Sequence, residues 1–189
     1  MPIVSSEKRH QRRIPRRALL KCASAGALAA FAPSLLAHAS AAKQRWLSFY
    51  NLHTGEQLKT VYWVKGRYVS SELDEINYLL RDFRTDNIEP IDPELLDLLY
   101  ALRRRMDSKA PFHIISGYRS PKTNAMLRQR SRSVAKRSYH TRGMAVDVRL
   151  PGRELNHLRR AALALKRGGV GYYPASDFIH VDTGPVRFW

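Results

Sequence analysis

The hydrophobic positions of this chain fall into short runs typical of β-strands and longer stretches with the spacing of a helix. Residues 46–50 and 60–64 are the first two runs, and both are rich in aromatic and β-branched side chains, which favour extended backbone. Residues 53–56 between them, and 65–67 after them, have the glycine and polar side chains of turns. We therefore expect strands joined by short turns over 46–69.

Four helices are predicted, three of them from apolar residues at helical spacing. Either serine at 70–71 can cap the first helix. The dipeptides at 92–93 (Asp-Pro) and 120–121 (Ser-Pro) combine a capping residue with a proline suited to the first helical turn. The last helix covers 154–166, and a pair of glycines ends it.

Short apolar runs in the second half of the chain predict the remaining strands. They lie at 112–115, 144–150, 170–173 and 178–181. The run 128–137 is basic, polar and poorly periodic, so we expect a loop near the functional site. Because helices cluster in the first half and strands in the second, the pattern favours an α+β fold in which helices flank a central antiparallel sheet.

The first 39 residues have the composition of an export signal and are expected to be no part of the fold. A basic front end, which includes the pair Arg16-Arg17, precedes an apolar run at about 22–37 that is short for a membrane span. Small residues on either side of position 38 allow cleavage before Ser40, which would leave one domain over 40–189. The arginine pair resembles a twin-arginine signal, with an ordinary secretory signal as the alternative. We expect a periplasmic protein; uncleaved, the segment would be a membrane anchor.

Charge and cysteine content narrow the chemistry further. The formal net charge is +17, of which residues 40–189 keep +11, and this favours polyanionic partners or serves solubility alone. For an exported protein we expect peptidoglycan or an anionic membrane face as the partner, and no nucleic acid, because the basic residues follow no recognition motif. The one cysteine, Cys22, lies in the export signal. A metal ion would therefore have nitrogen and oxygen ligands.

Two imidazoles and a carboxylate form the candidate site. His140 lies in a polar loop, and Gly143 lets the backbone bend into the strand that carries Asp147. A carboxylate in so apolar a strand needs a partner, for which a metal cation and an arginine are both candidates. With His180 on the last strand, these residues offer the ligands of a zinc site that keeps one position for water. Asp177, three residues before His180, could handle the protons of that water.

Two further residues have open interpretations. His113 alternates away from its apolar neighbours and is structural or catalytic. Asp182 is expected on the same strand face as His180. It could orient an imidazole by a hydrogen bond, an arrangement found around zinc, or it could cap the turn that follows the strand.

The residues around this site resemble a known family. Residues 138–147 have the pattern Ser-x-His-x-x-Gly-x-Ala-x-Asp, which is similar at every fixed position to the signature of the M15-type zinc peptidases, the D-Ala-D-Ala carboxypeptidase group. The stretches at 116–124 and 178–184 resemble the MepK-type murein endopeptidases within that group. The resemblance covers nearly all of residues 45–189, and it implies a single domain like that of the hedgehog and DD-peptidase proteins.

The resemblance also implies roles for individual residues. His140, Asp147 and His180 would bind Zn²⁺. Asp177 would be the general base and acid, where many relatives have glutamate. Arg119 would bind the scissile carbonyl or a nearby substrate carboxylate, and an ion pair with Asp147 is the alternative.

The activity that the resemblance implies is hydrolysis of peptidoglycan cross-links that contain D-alanine or meso-diaminopimelate. A carboxypeptidase or dipeptidase of the same family would use the same residues and act on uncross-linked ends. A wall-binding module that keeps the fold without turnover is the alternative from another class.

Overall fold

Eight strands form one sheet across the part of the chain that the computed structural model describes, residues 44–131 and 134–189. The strands are β1 Gln44–Asn51, β2 Gln57–Val64, β3 Arg67–Tyr68, β4 Phe112–Ser116, β5 Ala145–Arg149, β6 Gly169–Tyr173, β7 Phe178–Asp182 and β8 Arg187–Phe188. Their order across the sheet is β3-β2-β1-β4-β5-β7-β6-β8. The expected export signal lies outside the described residues.

Four α-helices accompany the sheet: α1 Ser70–Leu79, α2 Pro93–Arg105, α3 Pro121–Arg130 and α4 Leu155–Leu165. The predicted caps of α2 and α3 are confirmed, because Asp92 and Ser120 each accept a hydrogen bond from a backbone N–H of the first turn. The predicted serine cap of α1 is wrong: Val69 precedes the first turn and no side chain caps it. Among the described residues, no helix has the length and apolar character needed to span a bilayer.

The sheet is mixed, with the antiparallel pairs in the majority. β1 pairs antiparallel with β2, and β4, β5, β7 and β6 form a continuous antiparallel series. β1 lies parallel to β4, and β6 lies parallel to β8. The parallel pairing of β1 with β4 is possible because the chain between them is long and includes α1 and α2, which supply the crossover. The α+β class is confirmed.

The hydrophobic core lies between helices and one face of the sheet. α1, α2 and α4 contact the strands, and the inward residues of β4, β5 and β7 are fully buried: Phe112, Ile114, Val146, Val148, Ile179 and Val181. Each such side chain contributes about 1.5–3 kcal/mol on burial. Because side chains alternate along a strand, Asp147 and His180 point to the opposite face. The core thus fixes the strands whose other face carries the candidate site.

Candidate metal centre

Three side chains from different elements converge on the open face of the sheet. His140 lies in a 3₁₀ turn, Tyr139–Arg142, while Asp147 and His180 lie on the neighbouring strands β5 and β7. One ligand atom from each lies within 4.8 Å of the others. The Oδ1 atom of Asp147 is 3.2 Å from Nε2 of His140 and 2.9 Å from Nδ1 of His180. These residues span 40 positions, from His140 to His180, and the fold brings them together.

Strand register and one glycine produce this convergence. Asp147 and His180 are direct partners in the antiparallel pairing of β5 with β7, so their side chains lie side by side on one face. The turn that carries His140 ends at Gly143, whose φ is 65°. A Cβ at that position would overlap the backbone carbonyl of Pro90. Glycine is thus required by both the left-handed backbone and the close approach.

Each imidazole has a second partner that fixes its orientation. Nδ1 of His140 lies 2.7 Å from the carbonyl oxygen of Gly117, to which it donates when protonated there. Nε2 of His180 lies 2.9 Å from Oδ2 of Asp182. Asp182 is fully buried, and it also accepts the backbone N–H of Gly184, so it fills both of the roles considered for it. Protons on these outer nitrogens leave the two inner nitrogens as lone-pair donors.

The charge state of the cluster suits a cation. Burial would raise the pKa of Asp147, but His140, His180 and Arg119 outweigh it and hold the pKa well below its usual range. Burial lowers the pKa of His140, and the nearby Arg119 lowers it further. Burial also acts to lower the pKa of His180, but its contacts with Asp147 and Asp182 raise it overall. Because a raised pKa favours the imidazolium form of His180, a metal ion at this nitrogen would compete with a proton.

Arg119 reaches the same group of atoms. Its guanidinium pairs with Oδ2 of Asp147 and lies 3.0 Å from Nε2 of His140. Its Nε donates to Ser116 Oγ at 2.8 Å. The ion pair considered for this arginine is therefore present, and the pairing places a permanent positive charge at the edge of the ligand cluster.

The segment 116–120, which we name the Arg119 segment, is held by backbone contacts on two sides. Its Tyr118 N–H donates to the carbonyl of Leu80 at 2.8 Å, and the N–H of Arg119 donates to the carbonyl of His140 at 3.1 Å. The N–H of Ser120 donates to the buried carboxylate of Asp82 at 2.8 Å. The residues after α1 and the turn that holds His140 thus position Arg119 together.

Asp177 lies outside this group of atoms. Its backbone is left-handed, with φ at 52°, and its exposed carboxylate accepts a hydrogen bond from Arg149 at 2.9 Å. It borders a separate depression that His113 and Arg149 also line. The structure brings together His140, Asp147, His180 and Arg119 and leaves Asp177 outside that group, so the role of Asp177 in proton transfer stays a prediction.

A pocket of about 460 Å³ opens above the cluster. The three ligand residues and Arg119 line it, together with residues that the sequence did not single out: Arg137, Tyr139, Tyr173, Phe178, Arg187 and Trp189. Their only signal in the sequence is proximity to the motifs, because the two-residue strand β8 that brings Trp189 to β6 is too short for any periodicity.

Two imidazoles and a carboxylate in a pocket are the donor set of catalytic zinc sites with a free position. The inner atoms converge, the outer atoms are hydrogen-bonded, and the carboxylate is ionised, so the residues fit a divalent metal ion. Fold and site together define a candidate metal centre on one face of an α+β sheet.

Known proteins are similar to this chain over most of its length. The family model described as peptidoglycan L,D-endopeptidase MepK matches residues 39–189. Peptidoglycan L,D-endopeptidase MepK of Escherichia coli K12 is 46% identical over 175 residues, which cover 92% of this chain and 96% of that protein. The probable peptidoglycan L,D-endopeptidase MepK of Haemophilus influenzae is 45% identical over 157 residues, covering 82% and 84%. No solved structure gives a significant match.

The chain belongs to the M15-type peptidase family of MepK. The resemblance found in the motifs is thereby confirmed at the level of the family.

Proposed function

We propose that this protein is a zinc-dependent murein endopeptidase that hydrolyses peptide cross-links of peptidoglycan. The observation that carries the proposal is the convergence of His140, Asp147 and His180 within 4.8 Å in a pocket. Membership of the MepK family supports the choice of substrate, since the relatives from E. coli and H. influenzae are named as peptidoglycan L,D-endopeptidases.

His140, Asp147 and His180 would hold the zinc ion through Nε2, a carboxylate oxygen and Nδ1. Zinc, when bound, lowers the pKa of a water molecule toward neutrality and polarises a carbonyl group. Gly117 and Asp182 keep the two imidazoles oriented through their outer nitrogens. These hydrogen bonds use the outer nitrogens and leave the inner nitrogens directed toward the metal position.

Arg119 would bind the oxygen of the scissile carbonyl and stabilise the negative charge that develops there. Its guanidinium is permanently charged and presents several N–H donors, so it can keep Asp147 as a partner while it donates to substrate. Asp177 would take the proton of the attacking water and return it to the departing amine. No covalent acyl intermediate is involved, so β-lactams would not inhibit this protein.

We also propose that the protein acts in the periplasm after export by the twin-arginine route. The family match begins at residue 39, next to the cleavage point expected before Ser40. An exported peptidase would meet its polymeric substrate directly, and its positive charge would favour contact with the carboxylates of the wall.

Digestion of purified sacculi tests the proposed activity. The protein with zinc should convert cross-linked muropeptide dimers to monomers, read by mass spectrometry. A chelator should abolish this conversion and added zinc should restore it. Loss of terminal residues from uncross-linked peptides alone would instead identify a carboxypeptidase, and binding to sacculi with no product from either substrate would identify a wall-binding module.

A further inference from the structure

The arginines that line the pocket differ in whether a carboxylate pairs with them. Arg119 is paired with Asp147. Arg187 is paired with the fully buried Asp182, its Nη2 atom lying 2.6 Å from Oδ2. Arg137 lines the same pocket, is exposed, and forms no ion pair with any residue in 44–131 or 134–189. Its guanidinium is therefore the one lining cation, within those ranges, that has no carboxylate partner.

The pocket also presents a rigid aromatic surface. The rings of Tyr173 and Phe178 are stacked, with centroids 4.6 Å apart. The indole N–H of Trp189 donates to the hydroxyl of Tyr173 at 2.8 Å, and the Trp189 ring lies 5.3 Å from that of His180. Because these rings are already held in place by one another, they can bind an apolar segment of a ligand with little further loss of side-chain entropy. The pocket thus combines an apolar surface with one unbalanced cation.

We propose that Arg137 binds a free carboxylate of the cross-link peptide and so selects diaminopimelate units whose carboxyl group is unmodified. This inference rests on the proposed function. Diaminopimelate has a methylene stem, which the aromatic surface suits, and a carboxylate outside the peptide bonds. A guanidinium forms two parallel hydrogen bonds with a carboxylate, which gives geometric selection as well as affinity. An amidated carboxyl group has lost the charge and one of the two acceptors.

The test compares two muropeptide dimers that differ only in whether the diaminopimelate carboxyl group is free or amidated. We expect the native protein with zinc to hydrolyse the free form with a kcat/KM about 10–100-fold higher, the range for a hydrogen-bonded charge. Arg137→Gln should remove this preference through a higher KM for the free form, with kcat little changed. Arg137→Lys should restore part of it.

Lys136→Gln is the matched control, since Lys136 is the exposed neighbour that does not line the pocket. It removes the same charge and should keep the preference. Equal hydrolysis of both dimers by the native protein would overturn the inference while leaving the proposed function intact, and this comparison needs no variant. A preference that survives in Arg137→Gln would also overturn it. Absence of hydrolysis of either dimer by the zinc-loaded native protein would instead refute the proposed function.

Discussion

Two aspartates flank His180 and have opposite environments. Asp182 is fully buried, bound to His180, Arg187 and two backbone N–H groups; burial would raise its pKa, but these contacts lower it overall. The carboxylate of Asp182 therefore serves to orient the His180 imidazole. Asp177 has 62% of its side chain exposed and one ionic partner, Arg149. An exposed pair of this kind contributes only about 0–1 kcal/mol, so Asp177 can leave it at small cost when substrate binds.

Replacement of the exposed aspartate tests its role as the proton carrier. Asp177→Asn should retain zinc, measured by elemental analysis, and lose about 100-fold or more of kcat on muropeptide dimers, since a positioned general base contributes at least that much. Asp86→Asn is a matched control: Asp86 is also exposed, left-handed with φ at 55°, and paired with an arginine. It should keep full activity. Unchanged turnover in Asp177→Asn would assign the proton transfer to another group.

At the scale of elements, the site depends on three short connections that touch one another. The Arg119 segment lies against the residues after α1 on one side and the turn of His140 on the other. Gly117 is at the centre of this contact. Its carbonyl accepts from His140, and a Cβ on it would overlap the carbonyl oxygen of Leu80. The ligand His140 and the cation Arg119 therefore share one backbone support.

A methyl group added at Gly117 should disturb the positions of both His140 and Arg119. Gly117→Ala should lower the free energy of unfolding by about 1–3 kcal/mol, as overpacking does, and should weaken zinc binding in a competition with a chromogenic chelator. Gly152→Ala is the control, because Gly152 has φ at 73° with nothing within 4 Å of the added carbon. It should cost about 1 kcal/mol from its left-handed backbone and leave zinc affinity unchanged. Native zinc affinity in Gly117→Ala would contradict this account of the support.

The start of a helix could be predicted from the sequence where a single capping residue marks it. Asp92 and Ser120 mark helix starts because their side chains bond the backbone of the next turn. The serines at 70–71 carry the same signal, yet Val69 occupies the N-cap position of α1 and no side chain caps that helix. The parallel pairing of β1 with β4 and the existence of β8 depend on contacts between distant parts of the chain, which no local pattern contains.

The candidate site shows the same difference between residues with a local sequence signal and residues brought in by distant contacts. His140 and Asp147 lie seven positions apart within one motif, so their spacing could be recognised. Trp189 reaches the pocket because β8 pairs with β6, and Arg137 lines the same pocket although it lies outside the motif. Their residue types are common on surfaces, and only the folded chain distinguishes them.

At the scale of the whole molecule, the sheet edge farthest from the site is tied together by one carboxylate. Asp97 of α2 accepts hydrogen bonds from Tyr62 at 2.8 Å and Tyr68 at 3.0 Å and pairs with Arg45 at 2.7 Å. Burial alone would raise the pKa of Asp97, but the hydrogen bonds from these three side chains lower it overall. Strands β1, β2 and β3 are thus joined to a helix by an ionised group.

This coupling predicts a pH-dependent stability. Because the pKa of Asp97 is lowered by folding, its contribution is fully present above the unfolded value of about 3.9 and is lost as the pH falls through the folded value. Asp97→Asn should reduce the free energy of unfolding in urea by about 1–3 kcal/mol at neutral pH, and this deficit should shrink below about pH 4.

Asp74→Asn, on the exposed side of α1, serves as the control and should differ little from the native protein at any pH. A deficit in Asp97→Asn that stays constant down to the acid limit would mean that hydrogen bonding to the neutral form, and not ionisation, stabilises this sheet edge.

The packing of α4 against β6 and β7 on the core side of the sheet has a practical consequence. Asn156 is exposed on α4, behind the strands that hold the ligands, and residues 40–189 contain no cysteine. A thiol introduced there would be unique in a chain without the export signal. It could carry a fluorophore that reports on docking to a sacculus while the face that meets the polymer stays unmodified.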